Sequence, residues 1–173
     1  MEKFDLYDSA RRLTGRTIAR GEKIPAGFRR VTLHICIFNS KGEMLIQHRH
    51  PGKDVWPDLW DFSVGGGVLA GENTQQAARR ELREELGLEY DFESESPALT
   101  TTYSKGFDDI YVIHLEPDLA SLPLQAEEVQ AVRWASLEEV LAMIAEGIFI
   151  DYCRPLLEYI FFRSRHRGNF AYD

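Results

Sequence analysis

Residues 66–88, GGVLAGENTQQAARRELREELGL, are the part of the chain with the clearest structural pattern. Their first third is rich in glycine, and from residue 72 to residue 86 the apolar residues recur at helical spacing. Asn73 or Thr74 is a suitable N-cap, and Gly87 is a suitable residue at which the helix ends. The stretch therefore predicts an amphipathic helix that begins directly after a glycine-rich loop.

The charged residues of this predicted helix are sorted by sign around its axis. At about 100° per residue, three arginines fall on one side of the apolar stripe and three glutamates on the other. The stripe is Ala78, Leu82 and Leu86, and the two charged groups are Arg79, Arg80 and Arg83, and Glu81, Glu84 and Glu85. Like charges four residues apart cost roughly 0.2–0.5 kcal/mol, and a hard divalent cation relieves them through oxygen ligation. The charges alone leave two interpretations open: a Mg²⁺ or Mn²⁺ site, or a glutamate-rich face that is only solvated.

The spacing of fixed residues within this stretch separates the two interpretations. Read from Gly66, the chain gives Gly, five residues, Glu72, seven residues, Arg80-Glu81-Leu82, one residue, Glu84-Glu85, one residue and Gly87-Leu88. The seven glycine, arginine and glutamate positions of this pattern, at about 7% usage each, coincide by chance about once in 10⁸ starting positions. The chain therefore resembles the Nudix family, whose Nudix box this spacing matches without a departure.

The resemblance implies a fold and a reaction. The fold is the Nudix fold of the α/β (α+β) class, an α/β/α sandwich with a mixed β-sheet between helices. It implies a single domain over residues 1–173, with an N-terminal hairpin extension at about 1–30. The reaction is Mg²⁺-dependent hydrolysis of a diphosphate bond in a small nucleotide or organic diphosphate by water attack on phosphorus. By the same resemblance, the metal ligands are Glu81, Glu84, Glu85 and a carbonyl at Gly65 or Gly66, and a pair formed by Glu72 and Arg80 ties the loop to the helix.

The flanking residues 45–64, LIQHRHPGKDVWPDLWDFSV, resemble one branch of that family, the isopentenyl-diphosphate isomerase-like Nudix proteins. In that branch the matched arginine and lysine hold the substrate diphosphate, which implies this role for Arg49 and Lys53. The isomerase has its catalytic cysteine where this chain has Gly65, and a metal-binding histidine where it has Gly67. The isomerase reaction is therefore expected to be lost, and a hydrolase is expected to remain.

Candidates for the general base lie on the predicted helix and on later segments. The second catalytic acid of the isomerase lies on a later strand, where Asp108 and Asp109 stand in this chain. Many Nudix hydrolases use a loop glutamate as base, and Glu127 and Glu128 precede the predicted strand that ends near residue 134. Simple solvation is the alternative for the loop glutamates. The catalytic residues that we expect are Glu81, Glu84 and Glu128.

Several other residues have both a functional and a structural interpretation. His34 is either a metal ligand or, as is more usual for a single histidine on an apolar strand, a packed or hydrogen-bonded core residue. Cys36 is predicted to be a small buried hydrophobe. The candidates for phosphate contacts are His48 and His50, and those for a platform that stacks on a base are Trp56, Trp60 and Phe62, for which local packing is the alternative.

The rest of the chain predicts strands interleaved with helices. Residues 31–38 and 43–48 are apolar or β-branched runs around a turn cluster at 39–42, which predicts an antiparallel hairpin. A shorter hairpin around Thr14-Gly15 is predicted within residues 4–24, and a long loop at 51–71. The remaining predicted strands are 99–103, 110–115 and 129–134, and the remaining helices are 136–146, with Ser136 and Glu139 as a capping box, and 151–163.

Composition excludes several classes of protein. With 173 residues, 44% hydrophobic and 28% charged, the chain is neither collagen-like nor wholly disordered. A net charge of −8 argues against a long nucleic acid partner, although residues 1–30 hold eight Lys/Arg against four Asp/Glu. We expect no signal peptide and no membrane span, because an apolar run of about 18 residues is missing from the sequence.

Two cysteines are too few for a disulfide framework and favour a reducing cytoplasm. The expected partner is a small-molecule diphosphate, and the expected state is a monomer or homodimer. Two rival functions stay open: isomerisation of isopentenyl diphosphate, and ligand binding by a Nudix-fold module without catalysis.

Overall fold

Three helices are interleaved with the strands, as the sequence predicts, and the computed structural model describes residues 1–166. The strands are β1 (Lys3–Tyr7), β2 (Leu13–Ala19), β3 (Arg30–Phe38), β4 (Met44–Arg49), β5 (Trp60–Asp61), β6 (Val64–Gly67), β7 (Leu99–Tyr103), β8 (Gly106–His114) and β9 (Val129–Ala135). The helices are α1 (Thr74–Leu86), α2 (Leu137–Ala145) and α3 (Arg154–Arg163), with a 3₁₀ turn at Leu119–Ser121. Within residues 1–166, none of these helices has the length and apolar character needed to cross a bilayer.

A mixed sheet is built around β3. This strand pairs in parallel with β8 along its whole length and antiparallel with β6, while β4 pairs antiparallel with β5 and β9. The predicted hairpin of β3 and β4 is confirmed only at its turn, where Phe38 faces Met44. The two strands separate beyond that pair because β6 occupies the edge of β3 and β5 occupies the edge of β4 that would otherwise face it, while β9 pairs with the other edge of β4.

The sheet buries an apolar core on each of its faces. Side chains of β3 alternate between the two: Leu33 and Ile35 pack in the cluster that includes α1, whereas Cys36 and Phe38 pack in the cluster that includes α2 and α3. The expected α/β/α sandwich is therefore confirmed, as is the buried, apolar environment of Cys36. Strands β1 and β2 form a separate two-stranded sheet with a small core of their own.

Helix α1 has the ends and the faces that its sequence predicts. The Asn73 side chain accepts a hydrogen bond from the Gln76 amide in a capping box, and Gly87 ends the helix in the left-handed conformation at φ 65°. The apolar stripe is buried, and Glu85 is buried beside it, as the helical wheel indicates. The capping box of Ser136 and Glu139 at α2 is confirmed as well.

Two predicted boundaries in the sheet are wrong, for physical reasons. The predicted loop 51–71 contains β5 and β6; β6 is a strand through backbone pairing with β3, and its glycines give no alternating pattern. The strand predicted at 110–115 begins earlier, at Gly106, and so includes two aspartates; the strand tolerates them because both have partners. Asp108 accepts hydrogen bonds from Thr32 and His34, and Asp109 forms an ion pair with Arg11.

Two further boundaries also differ. The turn of the N-terminal hairpin is not at Thr14-Gly15, which lies inside β2, but at residues 8–12, where the Asp8 carboxylate accepts from the amides of Ala10 and Arg12. The last helix begins at Arg154 instead of residue 151, with a proline in its first turn, the position in a helix where proline is tolerated.

Candidate active site

The glycine strand β6 lies directly against helix α1. Gly66 pairs with Leu33 of β3, and a Cβ atom built on Gly66 would overlap the Glu81 carboxylate. Any other residue type at position 66 would push that carboxylate away. The close approach explains why glycine is needed here, and it places the backbone of residue 66 beside a buried acidic oxygen.

Two glutamates of α1 are buried beside each other. Glu85 is 5% exposed and Glu81 is 8% exposed. Burial raises the pKa of Glu85 to about 8, and the neighbouring Glu81 charge acts in the same direction. Burial likewise raises the pKa of Glu81, against the effect of Arg80. The Gln47 amide donates to Glu85 Oε2 at 3.1 Å. Hard divalent cations prefer such clustered carboxylate oxygens, so the residues present fit Mg²⁺ or Mn²⁺.

Arg80 connects the glycine loop to the acidic face. Its guanidinium forms two hydrogen bonds of 2.9 Å with the Glu72 carboxylate and a third, of 3.0 Å, with the Gly67 carbonyl. The pair of Glu72 and Arg80 that the resemblance implied is therefore present. The same guanidinium donates to Glu81 at 2.8 Å and to Glu84 at 3.3 Å. It thereby neutralises part of the acidic charge.

The third glutamate is turned outward. The Glu84 side chain is 49% exposed and points to Arg80. Within residues 1–166, no three histidine, cysteine, aspartate or glutamate side chains lie close enough together to hold a metal ion as they stand. Convergence of Glu81, Glu84 and Glu85 on one ion would need Glu84 to rotate away from Arg80. Their assignment as metal ligands, with the Gly66 carbonyl, stays a prediction.

Lys53 brings a positive charge and a loop carboxylate to this acidic face. Its ammonium forms an ion pair with Glu128, and the Glu128 carbonyl accepts from the His50 amide at 2.8 Å. Burial and Arg49 lower the pKa of Lys53, whereas the charges of Glu85 and Glu81 act in the opposite direction. The loop at 50–58 and the loop before β9 are thus joined beside α1, and each contributes a predicted site residue.

The guanidinium of Arg49 is held by its own loop. It donates to the carbonyl of Val55 at 2.8 Å, to the carbonyl of Trp56 at 3.0 Å and to Asp61 Oδ2 at 3.2 Å. These three bonds use three of its five N–H groups. The structure therefore gives Arg49 a role in fixing the loop, in addition to the contact with phosphate predicted for it.

His34 fills the space that a side chain at position 65 would need. These two residues are register partners in β3 and β6, and a Cβ atom on Gly65 would lie 2.8 Å from His34 Cδ2. His34 forms hydrogen bonds with Asp108 and packs edge-on against Phe62. It is thus a hydrogen-bonded core residue, and the cysteine of the isomerase pattern has no room at Gly65 in this arrangement.

The other candidates are spread over several environments. His48 stacks on Trp60 with ring centroids 4.9 Å apart, and the ring of His50 accepts a hydrogen bond from the Gly52 amide, so both support the local loop. Phe62 is fully buried, whereas the Trp56 side chain is exposed. The three aromatic side chains therefore do not form one platform.

Of the remaining base candidates, Asp109 is 1% exposed and forms an ion pair with Arg11, whereas Glu127 is exposed. Sequence reasoning missed Gln47, Asp61 and Tyr152. Gln47 had a visible signal, because it is a polar residue within an apolar strand. Asp61 and Tyr152 had none, because their contacts join segments that are far apart in the sequence.

Comparisons with known proteins agree with this geometry. The NUDIX domain family matches residues 27–152. The chain is 43% identical over 152 residues to an uncharacterised Nudix hydrolase of Listeria monocytogenes, covering 88% of this chain and 90% of the relative. It is 27% identical over 135 residues to an isopentenyl-diphosphate Delta-isomerase of Citrobacter koseri, covering 72% and 74%. The crystal structure of a Deinococcus radiodurans protein superposes with a TM-score of 0.75 at 29% identity, covering 92% of this chain and 97% of that one.

Proposed function

The chain belongs to the Nudix hydrolase family, and on that premise we propose that it is a Mg²⁺-dependent hydrolase of a small nucleotide or organic diphosphate. The bond cleaved is the phosphoanhydride, and water attacks phosphorus. The observation that supports this proposal is the burial of Glu81 and Glu85 side by side, against the glycine backbone of residue 66 and beside Lys53. Buried like charges are costly unless a cation neutralises them.

The residues that would hold the metal are Glu81, Glu84, Glu85 and the carbonyl of Gly66. When bound there, Mg²⁺, or Mn²⁺ in its place, supplies Lewis-acid polarisation of the phosphoryl oxygens and a lowered pKa for a coordinated water. Arg80 has the complementary structural role. It holds the loop against the helix through Glu72 and the Gly67 carbonyl, and so fixes the position of the glycine strand β6 beside α1.

Proton transfer and phosphate binding fall to the two joined loops. Glu128 accepts the proton of the attacking water, and Glu81 or Glu84 is the alternative acceptor. Lys53 holds the phosphate that does not react, and the two other N–H groups of Arg49 assist it. The ion pair between Lys53 and Glu128 supports this assignment, because it keeps the two side chains next to each other.

Neither rival function gains support from an observation of the site. An isomerase would need the cysteine for which His34 leaves no room at Gly65. A module that only binds its ligand would not need the intact set of acidic residues on α1. Both cysteines are free thiols, in keeping with the cytoplasmic location that we expect, and we expect a monomer or homodimer.

A product screen tests the proposal. The purified full chain is incubated with Mg²⁺ and, one at a time, nucleoside di- and triphosphates, nucleotide sugars, isoprenoid diphosphates and thiamine diphosphate. Orthophosphate, pyrophosphate and nucleotide products are scored, with a chelator in the matched control. We expect metal-dependent release from at least one compound. Tight binding without product, or conversion of isopentenyl diphosphate to its isomer without phosphate release, would contradict the proposal.

A further inference from the structure

A continuous chain of hydrogen bonds runs through the sheet face that packs against α2 and α3. His34 Nδ1 lies 2.9 Å from Asp108 Oδ2, and His34 Nε2 lies 3.4 Å from the hydroxyl of Tyr152. That hydroxyl donates to Asp61 Oδ1 at 2.8 Å, and the other oxygen of Asp61 accepts from Arg49 at 3.2 Å. The chain of bonds thus joins β8, β3 and the segment before α3 to the end of β4, where the loop at 50–58 begins.

The donors and acceptors of this chain have a consistent direction. Burial alone would lower the pKa of His34, but Asp108 raises it to about 9, so both ring nitrogens carry protons at neutral pH. His34 then donates to Asp108 on one side and to the Tyr152 oxygen on the other. Burial and Asp61 raise the pKa of Tyr152 well above its ordinary value, so its hydroxyl keeps its proton and donates it to Asp61.

Arg49, the last member of this hydrogen-bond chain, holds a loop with unfavourable backbone angles. Trp56 and Asp58 have left-handed backbone angles, with φ of 52° and 59°, which non-glycine residues seldom adopt. Arg49 donates to the carbonyls of Val55 and Trp56 while Asp61 fixes its guanidinium. The conformation of the loop that carries Lys53 therefore depends on the orientation of Arg49.

We propose that Tyr152 is a positioning residue for the loop at 50–58. Acting through Asp61, it holds Arg49 in the rotamer that ties down the loop, and so sets the position of Lys53. The claim that Tyr152 holds the loop does not depend on the function proposed above. The claim that the held conformation serves diphosphate binding rests on that function. Tyr152 is a favourable test position, because its ring also stacks on Phe62 at 4.2 Å, a contact that Tyr152→Phe keeps.

Hydrogen exchange tests the holding role in the metal-free full chain. In Tyr152→Phe and in Asp61→Asn, we expect peptides that cover residues 50–58 to exchange at least about fivefold faster than in the wild type, the effect of losing one buried hydrogen bond. The matched control is Tyr103→Phe, which removes the hydroxyl of an exposed tyrosine on β7 and should leave this exchange unchanged. Wild-type exchange at 50–58 in both test variants would overturn the proposal.

Steady-state kinetics tests the consequence for binding. With a diphosphate that the wild type hydrolyses, Tyr152→Phe should raise KM about fivefold while kcat stays within about twofold. The double variant with Asp61→Asn should be no worse than Asp61→Asn alone, because both act through one chain. A fall in kcat as large as the rise in KM, together with a lower Tm, would overturn the positioning role. So would additive effects of the two substitutions in the double variant. Faster exchange at 50–58 with no turnover by the wild type would instead leave the positioning role standing and refute the proposed function.

Discussion

Two polar clusters lie close together in this molecule and differ in how their charges are balanced. On α1, the acidic side chains of Glu81 and Glu85 are buried next to each other, burial raises the pKa of both, and Arg80 donates to Glu81. In the hydrogen-bond chain from Asp108 to Arg49, negative and positive side chains alternate. Asp108 pairs with His34, Asp61 pairs with Arg49, and a neutral tyrosine hydroxyl connects the two pairs.

The difference indicates which cluster needs a ligand. Alternating charges stabilise one another, so the chain from Asp108 to Arg49 is complete within the protein and can hold other parts in place. Clustered acidic groups are unfavourable as charges until a cation joins them, and we therefore propose the α1 face as the part of the molecule that binds something from outside. The experiments below change one cluster at a time.

The largest effect is expected at the acidic face. Glu85→Gln should lower kcat/KM for the substrate found in the screen by about 10³-fold, because a charge that helps to hold the metal is lost. The fold should be kept, since the amide fills the same volume. Glu89→Gln is the matched control, because Glu89 lies just beyond α1 and pairs with the exposed Arg79. Full activity of Glu85→Gln would contradict the assignment.

A smaller effect on kcat is expected at the loop carboxylate. Glu128→Gln should lower kcat about 10²-fold, the typical contribution of a general base, while KM changes little. Glu127→Gln, at the exposed neighbouring position, is the control. If the Glu127 and Glu128 variants behave alike, Glu128 does not accept the proton. A larger loss of kcat in Glu84→Gln than in Glu128→Gln would assign that role to Glu84.

Much of the acidic face could be predicted from the sequence, but little of the hydrogen-bond chain from Asp108 to Arg49 could be predicted. The spacing of helix α1 fixes which residues share a face, so the burial of Glu85 and the outward direction of Arg79 follow from the helical period. The rotation of Glu84 toward Arg80 could not be predicted, since an exposed side chain has several accessible rotamers.

The alternating chain depends on contacts between distant segments. Tyr152 and Asp61 are 91 positions apart, and His34 and Asp108 are 74 apart. A single sequence carries no signal for such pairs. The same reason explains why β8 begins before the predicted residue: the strand tolerates Asp108 and Asp109 because the distant residues His34 and Arg11 form ion pairs with them.

Restoring the isomerase cysteine tests how tightly the alternating chain is packed. Gly65→Cys should lower the free energy of unfolding by about 1–3 kcal/mol, because the new Cβ would meet the His34 ring. The change should also give no conversion of isopentenyl diphosphate. Denaturant unfolding measures the first effect, with Thr102→Cys on β7 as an exposed control. A stable variant with isomerase activity would show that His34 moves aside easily.

The smallest effect is the dependence of stability on pH through His34. Its pKa is about 9 in the folded protein against 6.5 ordinarily, so its stabilising pair with Asp108 is complete below pH 6.5 and is lost as the pH rises through 9. The groups that act on it are Asp108, Asp61, Arg49 and the Tyr152 hydroxyl. The Tm advantage of the wild type over His34→Gln should shrink by at least about 2 °C between about pH 6 and pH 9.5. A constant difference would contradict the ionised pair.

The most direct test of the acidic face is a count of bound metal without any substrate. Mn²⁺ is titrated into the wild type, Glu85→Gln and Glu89→Gln, and the free ion is measured by electron paramagnetic resonance. We predict at least about one saturable Mn²⁺ per wild-type chain, the same for Glu89→Gln, and binding weakened at least about tenfold in Glu85→Gln. Equal Mn²⁺ binding by the wild type and Glu85→Gln would contradict the claim that the buried glutamates of α1 form the metal site.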